Sequence, residues 1–437
     1  MTTERFEVRH VDLAAADIGS ERAPALSIFW WKDLPLGARA SLEDELPYGV
    51  SQLRQLAAEH AAAQLQARSI GLGAPLRATY EGQPKPALSL EAALDAQNLV
   101  ESLDAIAAPP SASAQDISVI ICTRDRGPAL SKCLSSLAAQ RSPPGEVVVV
   151  DNSYDGNARD ICGQFPDFRY VHEPRAGLSR ARNTGIQTSQ FDIVAFTDDD
   201  VEAHPGWTAE IARAFAERDV IEAFTGLVLP ARLDTAAQCS FQFTMGGFGS
   251  TFVPLTFDRR FFEETRPSGA HVWKIGAGAN MAFRRSVFER VGLFDERLGA
   301  GAAGCSEDSE LWYRLLAAGG VCLYEPRAVV FHHHRSDWLG LKRQIKAYMK
   351  GHVAALVTQY DNFGDRGNIV RIGKQLPVYF AKTFVKALFE GPPGRLGILA
   401  AEVEGWIAGL QFLLRFGWRM RRTPMGTAAT AEKGISR

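Results

Sequence analysis

The chain has 437 residues, 46% of them hydrophobic and 22% charged, and 48 Lys+Arg against 50 Asp+Glu give a formal net charge of −2. That length suits two or three folded units, and the composition excludes a disordered, collagen-like or disulfide-stapled chain. Near-neutrality argues against nucleic acid as a partner, because such a partner selects a basic protein.

Six cysteines, at 122, 133, 162, 239, 305 and 322, form no Cys-x-x-Cys pair. They predict free thiols in a reducing compartment. The start, Met1-Thr-Thr-Glu-Arg-Phe, lacks the basic and apolar order of a signal peptide. No run of 18 uncharged apolar residues occurs. The expectation is a cytoplasmic protein.

Residues 1–110 read as a small α+β unit. The apolar run Ala25–Trp31 and the following Leu-Pro-Leu-Gly predict a strand and turn, with helices over Val50–Ile70 and Leu88–Ile106. Ala107–Gln115, rich in Ala, Pro and Ser, reads as a linker. Short apolar strands then alternate with helices. Strands are expected at Ile117–Thr123, Glu146–Asn152, Phe168–Glu173 and Ile193–Thr197, with helices at Pro128–Gln140, about Gly156–Gln164 and Leu178–Thr188. This alternation predicts an α/β unit with a mostly parallel sheet flanked by helices. Further on come a Gly-rich bend and strand over Ile275–Phe283, a helix at 307–319 and an extended run over Val321–His334. After Trp338 the chain turns helical and basic.

Ligands of such sheets gather at the carboxyl ends of the strands, where Cys122–Asp125, Asp151-Asn152 and Asp198-Asp199-Asp200 fall. Three adjacent carboxylates repel one another unless a cation neutralises them, and a hard divalent ion is one solution. A solvated acidic loop is the other. Asp151 suits a base or ribose contact, or equally a turn before Ser153-Tyr-Asp-Gly156. Arg175, Arg180 and Arg182 suit a diphosphate, or an ordinary helix surface. Glu307-Asp308 opens a helix, where acids are common for dipole reasons, yet a carboxylate there can also serve as a general base. In His332-His333-His334, the outer two share a face if the strand continues.

Several of these segments together resemble the family 2 glycosyltransferases, which have a GT-A fold. The stretches are Ser118-Val-Ile-Ile-Cys-Thr-Arg124, Val149-Val-Asp-Asn-Ser153, Gly177-Leu-Ser-Arg-Ala-Arg-Asn-Thr-Gly185, Phe196-Thr-Asp-Asp-Asp200, Gly278-Ala-Asn-Met-Ala-Phe-Arg284, Ser306-Glu-Asp308 and His332-x-His334-Arg335, in the family's order. The resemblance covers roughly 116–340. It implies an inverting transferase that uses a nucleotide-diphospho-sugar, with a UDP-sugar expected, to build an envelope polysaccharide or glycolipid. It implies donor contacts at Thr123, Arg124, Asp151, Arg180, Asn183 and Asp198, and an acceptor side at Gly278 and Asn280. Mn²⁺ or Mg²⁺ would sit on Asp198, Asp199 or Asp200 with His332 or His334. Glu307 and Asp308 would be catalytic, Asp308 as the base. The sequence departs from the family at Cys122-Thr-Arg-Asp125, where many members have Pro-Thr-Tyr-Asn, and at Thr197, where some carry the first acid of the cluster. A sugar-phosphate nucleotidyltransferase and a non-catalytic nucleotide-sugar-binding protein are the alternatives.

Outside that region, 341–423 reads as a helical extension and 424–437 as a disordered tail. From Arg371 to Arg422 nine Lys/Arg stand against Glu390, Glu402 and Glu404, interleaved with aromatics. Such helices suit an anionic membrane surface on the inner face of the cytoplasmic membrane, or a helical pair packed on the core. The expected acceptor is a glycan or a lipid-linked sugar.

Overall fold

The computed structural model describes residues 5–14, 24–41, 76–77, 96–249, 251–390 and 394–416. The helix expected over Val50–Ile70, the start of the one expected at Leu88, and the tail after Pro424 lie outside the described residues.

Thirteen strands are described: β1 (Glu7–Asp12), β2 (Ala25–Trp31), β3 (Leu34–Ser41), β4 (Leu76–Arg77), β5 (Ile117–Thr123), β6 (Glu146–Asp151), β7 (Arg169–His172), β8 (Ile193–Asp198), β9 (Val201–Ala203), β10 (Ala223–Pro230), β11 (Leu255–Phe257), β12 (Asn280–Arg284) and β13 (Cys322–His332). The first three form a small sheet, and the rest form a ten-stranded sheet in the order β4-β11-β13-β10-β12-β8-β5-β6-β7, with β9 pairing β13.

The half β8-β5-β6-β7 is parallel throughout, as the alternation of apolar runs and helices predicts. The other half is mixed. β12 runs antiparallel to both β8 and β10, and β11 antiparallel to β13. An apolar run carries no sign of its direction, so this reversal is invisible in the sequence.

Continuous Val/Ile runs make these strands because both faces of the sheet are covered. Val119 and Ile121 enter one apolar cluster and Ile120 the other. Val147 and Val149 alternate with Val148 and Val150 in the same way. The first cluster includes Trp207 and Ile211 of the helix Trp207–Glu217, and the second Leu311 and Trp312 of the helix Glu307–Ala317. The N-terminal sheet packs through Leu26, Ile28 and Trp30 against Leu227, Leu229 and Val329. It stands on the main sheet rather than apart from it.

Register decides what reaches the rim. Thr123 pairs with Asp151 and Cys122 with Asp198, so three strand ends stop level. Antiparallel β12 begins at that same level, Asn280 pairing with Thr197, which delivers Gly276–Ala279 to the rim. β9 then folds back so that Val201 pairs with His332, which sets Asp200 beside that histidine.

The helices Trp338–Phe363, Leu376–Glu390 and Arg395–Phe416 close the opposite side. Gly304 lies against the first of them: its φ is 124°, and a Cβ there would come within 2.5 Å of the Ala347 carbonyl oxygen. Only glycine fits both demands.

Candidate active site

A cavity of about 1070 Å³ opens along this rim, between the strand ends and the C-terminal helices. Thr123, Arg124, Asp198, Asp199, Asp200, Gly278, Glu307, Asp308 and His332 of the expected set all line it.

The acid cluster is held by arginines. Asp199 accepts from Thr123 Oγ1 at 2.8 Å and from Arg126 Nη1 at 2.9 Å. Arg126 Nη1 also donates to Asp200 at 2.6 Å. Burial pushes the Asp199 carboxyl up to about 6, against the pull of Arg126. Burial also opposes the charge on Asp200, but His332, Arg126 and Arg335 together hold it below the usual carboxylate range. His332 Nε2 stands 3.5 Å from Asp200. Asp198 differs from its neighbours: its side chain is 34% exposed and reaches Arg182 at 3.2 Å.

Arg182 is the centre of the site. It is 2% exposed and sits over the rings of Phe196 and Phe294, 5.9 Å and 5.5 Å from their centroids. It donates to Glu307 Oε1 at 2.6 Å as well as to Asp198. Glu307 is buried, and its second oxygen has no hydrogen-bond partner among the described residues. Burial raises its carboxyl to about 7 despite Arg182. The adjacent Asp308 is half-buried and accepts from the Gly278 N–H at 2.8 Å and the Ser309 N–H at 2.6 Å. Burial raises its carboxyl too, with Arg182 and these amides opposing. Ser306, the residue before this helix, has φ 69°. A left-handed serine costs backbone strain of the kind concentrated at functional sites, and here it turns the two acids into the cavity.

Five expected site residues do not line the cavity. Asp151 is fully buried and spends both oxygens locally, on Ser153 N and Oγ and on Ala158 N and the Tyr170 hydroxyl. Arg180 points outward to Glu296 at 2.8 Å. Asn183 clamps both backbone groups of Phe294 at 2.9 Å. Asn280 donates to the Leu227 and Ala328 carbonyls and accepts from Trp207 Nε1. His334 also turns away: its Nδ1 faces His332 Nδ1 at 2.9 Å and its Nε2 faces Gln242 at 3.2 Å. Burial pushes it down to about 3.

Arg126, Tyr348, His352, Arg371, Tyr379 and Glu402 also line the cavity and carry no signal in the family-like segments. Arg182 did carry one. Residues two apart in a helix point about 200° apart around its axis, so Arg180 and Arg182 face opposite ways, and Arg182 shares its buried face with Ser179 and Ile186.

Acids, arginines and a paired Glu-Asp thus gather on the carboxyl rim of an α/β sheet. Residues 118–292 match the family model Glycosyl transferase family 2. The chain therefore carries a glycosyltransferase family 2 domain over that range.

It is 30% identical over 275 residues to the pre-mycofactocin glycosyltransferase of Mycobacterium tuberculosis, covering 61% of this chain and 53% of that one. It is 30% identical over 227 residues to the succinoglycan biosynthesis protein ExoM of Rhizobium meliloti, covering 49% and 65%. The chain thus spans about half to two thirds of the length of these curated relatives. A mannosyltransferase from Pyrobaculum calidifontis, solved with GDP-Man and Mn²⁺, aligns over 70% of this chain and 91% of its own at 17% identity and a TM-score of 0.43.

Proposed function

We propose that the protein is an inverting glycosyltransferase that moves a sugar from a nucleotide-diphospho-sugar to a hydroxyl of a glycan or lipid-linked acceptor. The observation that carries this reading is the link from Asp198 through Arg182 to Glu307, with Asp308 beside it, all on one cavity wall. The family domain and the named relatives support it.

Arg182 and Arg126 supply guanidinium groups where the diphosphate of the donor would lie, and forked donors suit phosphate oxygens. Asp308 is the base. The acceptor oxygen attacks the anomeric carbon, its proton passes to Asp308, and the bond from that carbon to the diphosphate oxygen breaks. One displacement inverts the centre, so one base suffices. The backbone N–H of Gly278 fixes the orientation of the Asp308 carboxylate.

The residues fit a divalent cation, Mn²⁺ or Mg²⁺, shared with the donor. Among the described residues no three His, Cys, Asp or Glu side chains converge on one metal position. Such ions are, however, commonly held by one or two carboxylates with substrate phosphates filling other positions. Asp198, at the cavity edge, is the carboxylate most open to that role, with Asp200 and His332 behind it. When bound, the ion supplies positive charge to the leaving diphosphate.

No helix among the described residues is long and apolar enough to cross a membrane. The helix Leu376–Glu390 nevertheless leaves Val378, Phe384, Val385, Leu388 and Phe389 between 45% and 82% exposed. Lys374, Lys382 and Lys386 lie alongside, and no acid occurs from Lys374 to Phe389. This face suits peripheral docking on an anionic bilayer. Leu376 and Tyr379 of the same helix line the cavity, so a lipid-linked acceptor would have a short path to the base.

The test is a panel of UDP- and GDP-sugars given to the full chain with and without Mn²⁺, read as nucleoside diphosphate release. Release from at least one donor, dependent on the ion, is expected. No release from any donor contradicts the reading.

A further inference from the structure

The cavity does not end at Asp308. It runs on between the three C-terminal helices, where Arg343, Arg371, Tyr379 and Glu402 line it. Its volume of about 1070 Å³ lies just above the usual range for a single small-molecule pocket, roughly 300–1000 Å³. A second ligand has room there.

Glu402 is 6% exposed and lies in the middle of the helix Arg395–Phe416. Its Oε1 accepts from the Tyr379 hydroxyl at 2.9 Å, and Arg395 Nη2 donates to that same hydroxyl oxygen at 3.0 Å. Its Oε2 stands 3.9 Å from Arg395, beyond hydrogen-bond reach, and has no hydrogen-bond partner among the described residues. A buried carboxylate oxygen left this way is costly unless something donates to it. Burial raises the Glu402 carboxyl, with Arg395 and Tyr379 opposing.

The surroundings select the donor. Arg343, Arg371 and Arg395 disfavour a cationic ligand, and Glu402 itself disfavours an anionic one. Arg371 is fixed, its guanidinium 3.8 Å from the centre of the Trp273 ring and donating to His352 at 2.9 Å. A neutral group that both donates and accepts satisfies this mixed wall. A hydroxyl does so, and several on one molecule would engage Glu402 and the arginines together.

We infer that Glu402, positioned by Tyr379 and Arg395, is the anchor of a second subsite that holds a sugar of the acceptor. The inference rests on the transferase reading and assigns to these helices the recognition of a neutral polyhydroxylated acceptor. They lie outside the residues that match the family model.

The test is ligand-observed NMR of the full chain with a panel of neutral methyl glycosides, alongside titration with UDP and GDP on the same samples. The wild type is expected to bind at least one glycoside. Glu402→Gln, which keeps the shape, should weaken that binding about tenfold relative to nucleotide binding, and Tyr379→Phe should weaken it less. Thermal melting of each variant separates a binding loss from a folding loss. No glycoside binding by a wild type that binds nucleotide overturns the subsite and spares the transferase reading. Glycoside binding unchanged in both folded variants overturns it as well. Absence of nucleotide binding counts against the transferase reading itself.

Discussion

Arg182 and Glu307, 125 positions apart in the sequence, meet in a buried ion pair of 2.6 Å. The same guanidinium reaches Asp198 at 3.2 Å, so a helix after β7, the end of β8 and the Glu-Asp helix are tied by one side chain. Two aromatic rings hold its position.

Arg182→Lys should keep the charge and lose the fork. Nucleoside diphosphate release is expected to fall by about a hundredfold or more, since removing one preorganised donor costs that much. Arg182→Met leaves Glu307 and Asp198 without their cation, and a loss of about 3–5 kcal/mol in unfolding free energy is expected. Steady-state kinetics and denaturant melts check the two. A fully active Lys variant would show that the forked geometry is unused.

The pH dependence follows from Glu307. Its carboxyl is raised to about 7, chiefly by burial. A raised carboxyl favours the fold while it is protonated, and that contribution is lost as pH rises through the folded value. The melting temperature should therefore fall between about pH 4.5, the ordinary glutamate value, and about pH 7, and level off above it, and Glu307→Gln should flatten that fall. An identical slope in the variant would remove Glu307 as its source.

The exposed face of the helix Leu376–Glu390 predicts binding to vesicles that contain anionic phosphatidylglycerol, weaker in high salt and absent from neutral phosphatidylcholine vesicles. Phe384→Ser combined with Phe389→Ser should reduce partitioning by about tenfold, the effect of withdrawing two large apolar side chains from the interface. Light scattering decides the competing case: a dimer abolished by the double variant, with no vesicle binding, would show that a second copy covers this face.

Much of the parallel half was legible. Ile117–Thr123 and Leu178–Thr188 were readable to the residue, because a doubly buried strand needs an unbroken apolar run and a helix needs its own period. The strand β12 was also expected, within Ile275–Phe283, but its antiparallel direction was not, since direction leaves no mark on composition. Site residues divided along a similar line. Thr123, Asp198, Glu307 and Asp308 reach the cavity because strand ends and a helix start fix them there. Asp151 stands at a strand end too, but the segment after it supplies three donors and Tyr170 of β7 a fourth, which together absorb the carboxylate. Local capping competed with ligand binding, and the sequence fitted both. Glu402 and Arg371 come from helices whose packing on the rim is a tertiary fact with no local signature.

Asp308 is the residue proposed to take the acceptor proton. That role is tested most directly by comparing the wild type with Asp308→Asn for sugar transfer and, by calorimetry, for donor binding, using whichever donor the panel identifies. Transfer by the Asn variant is expected to fall by about a thousandfold or more, with donor affinity within about threefold of wild type. Transfer at the wild-type rate by the Asn variant would contradict that role.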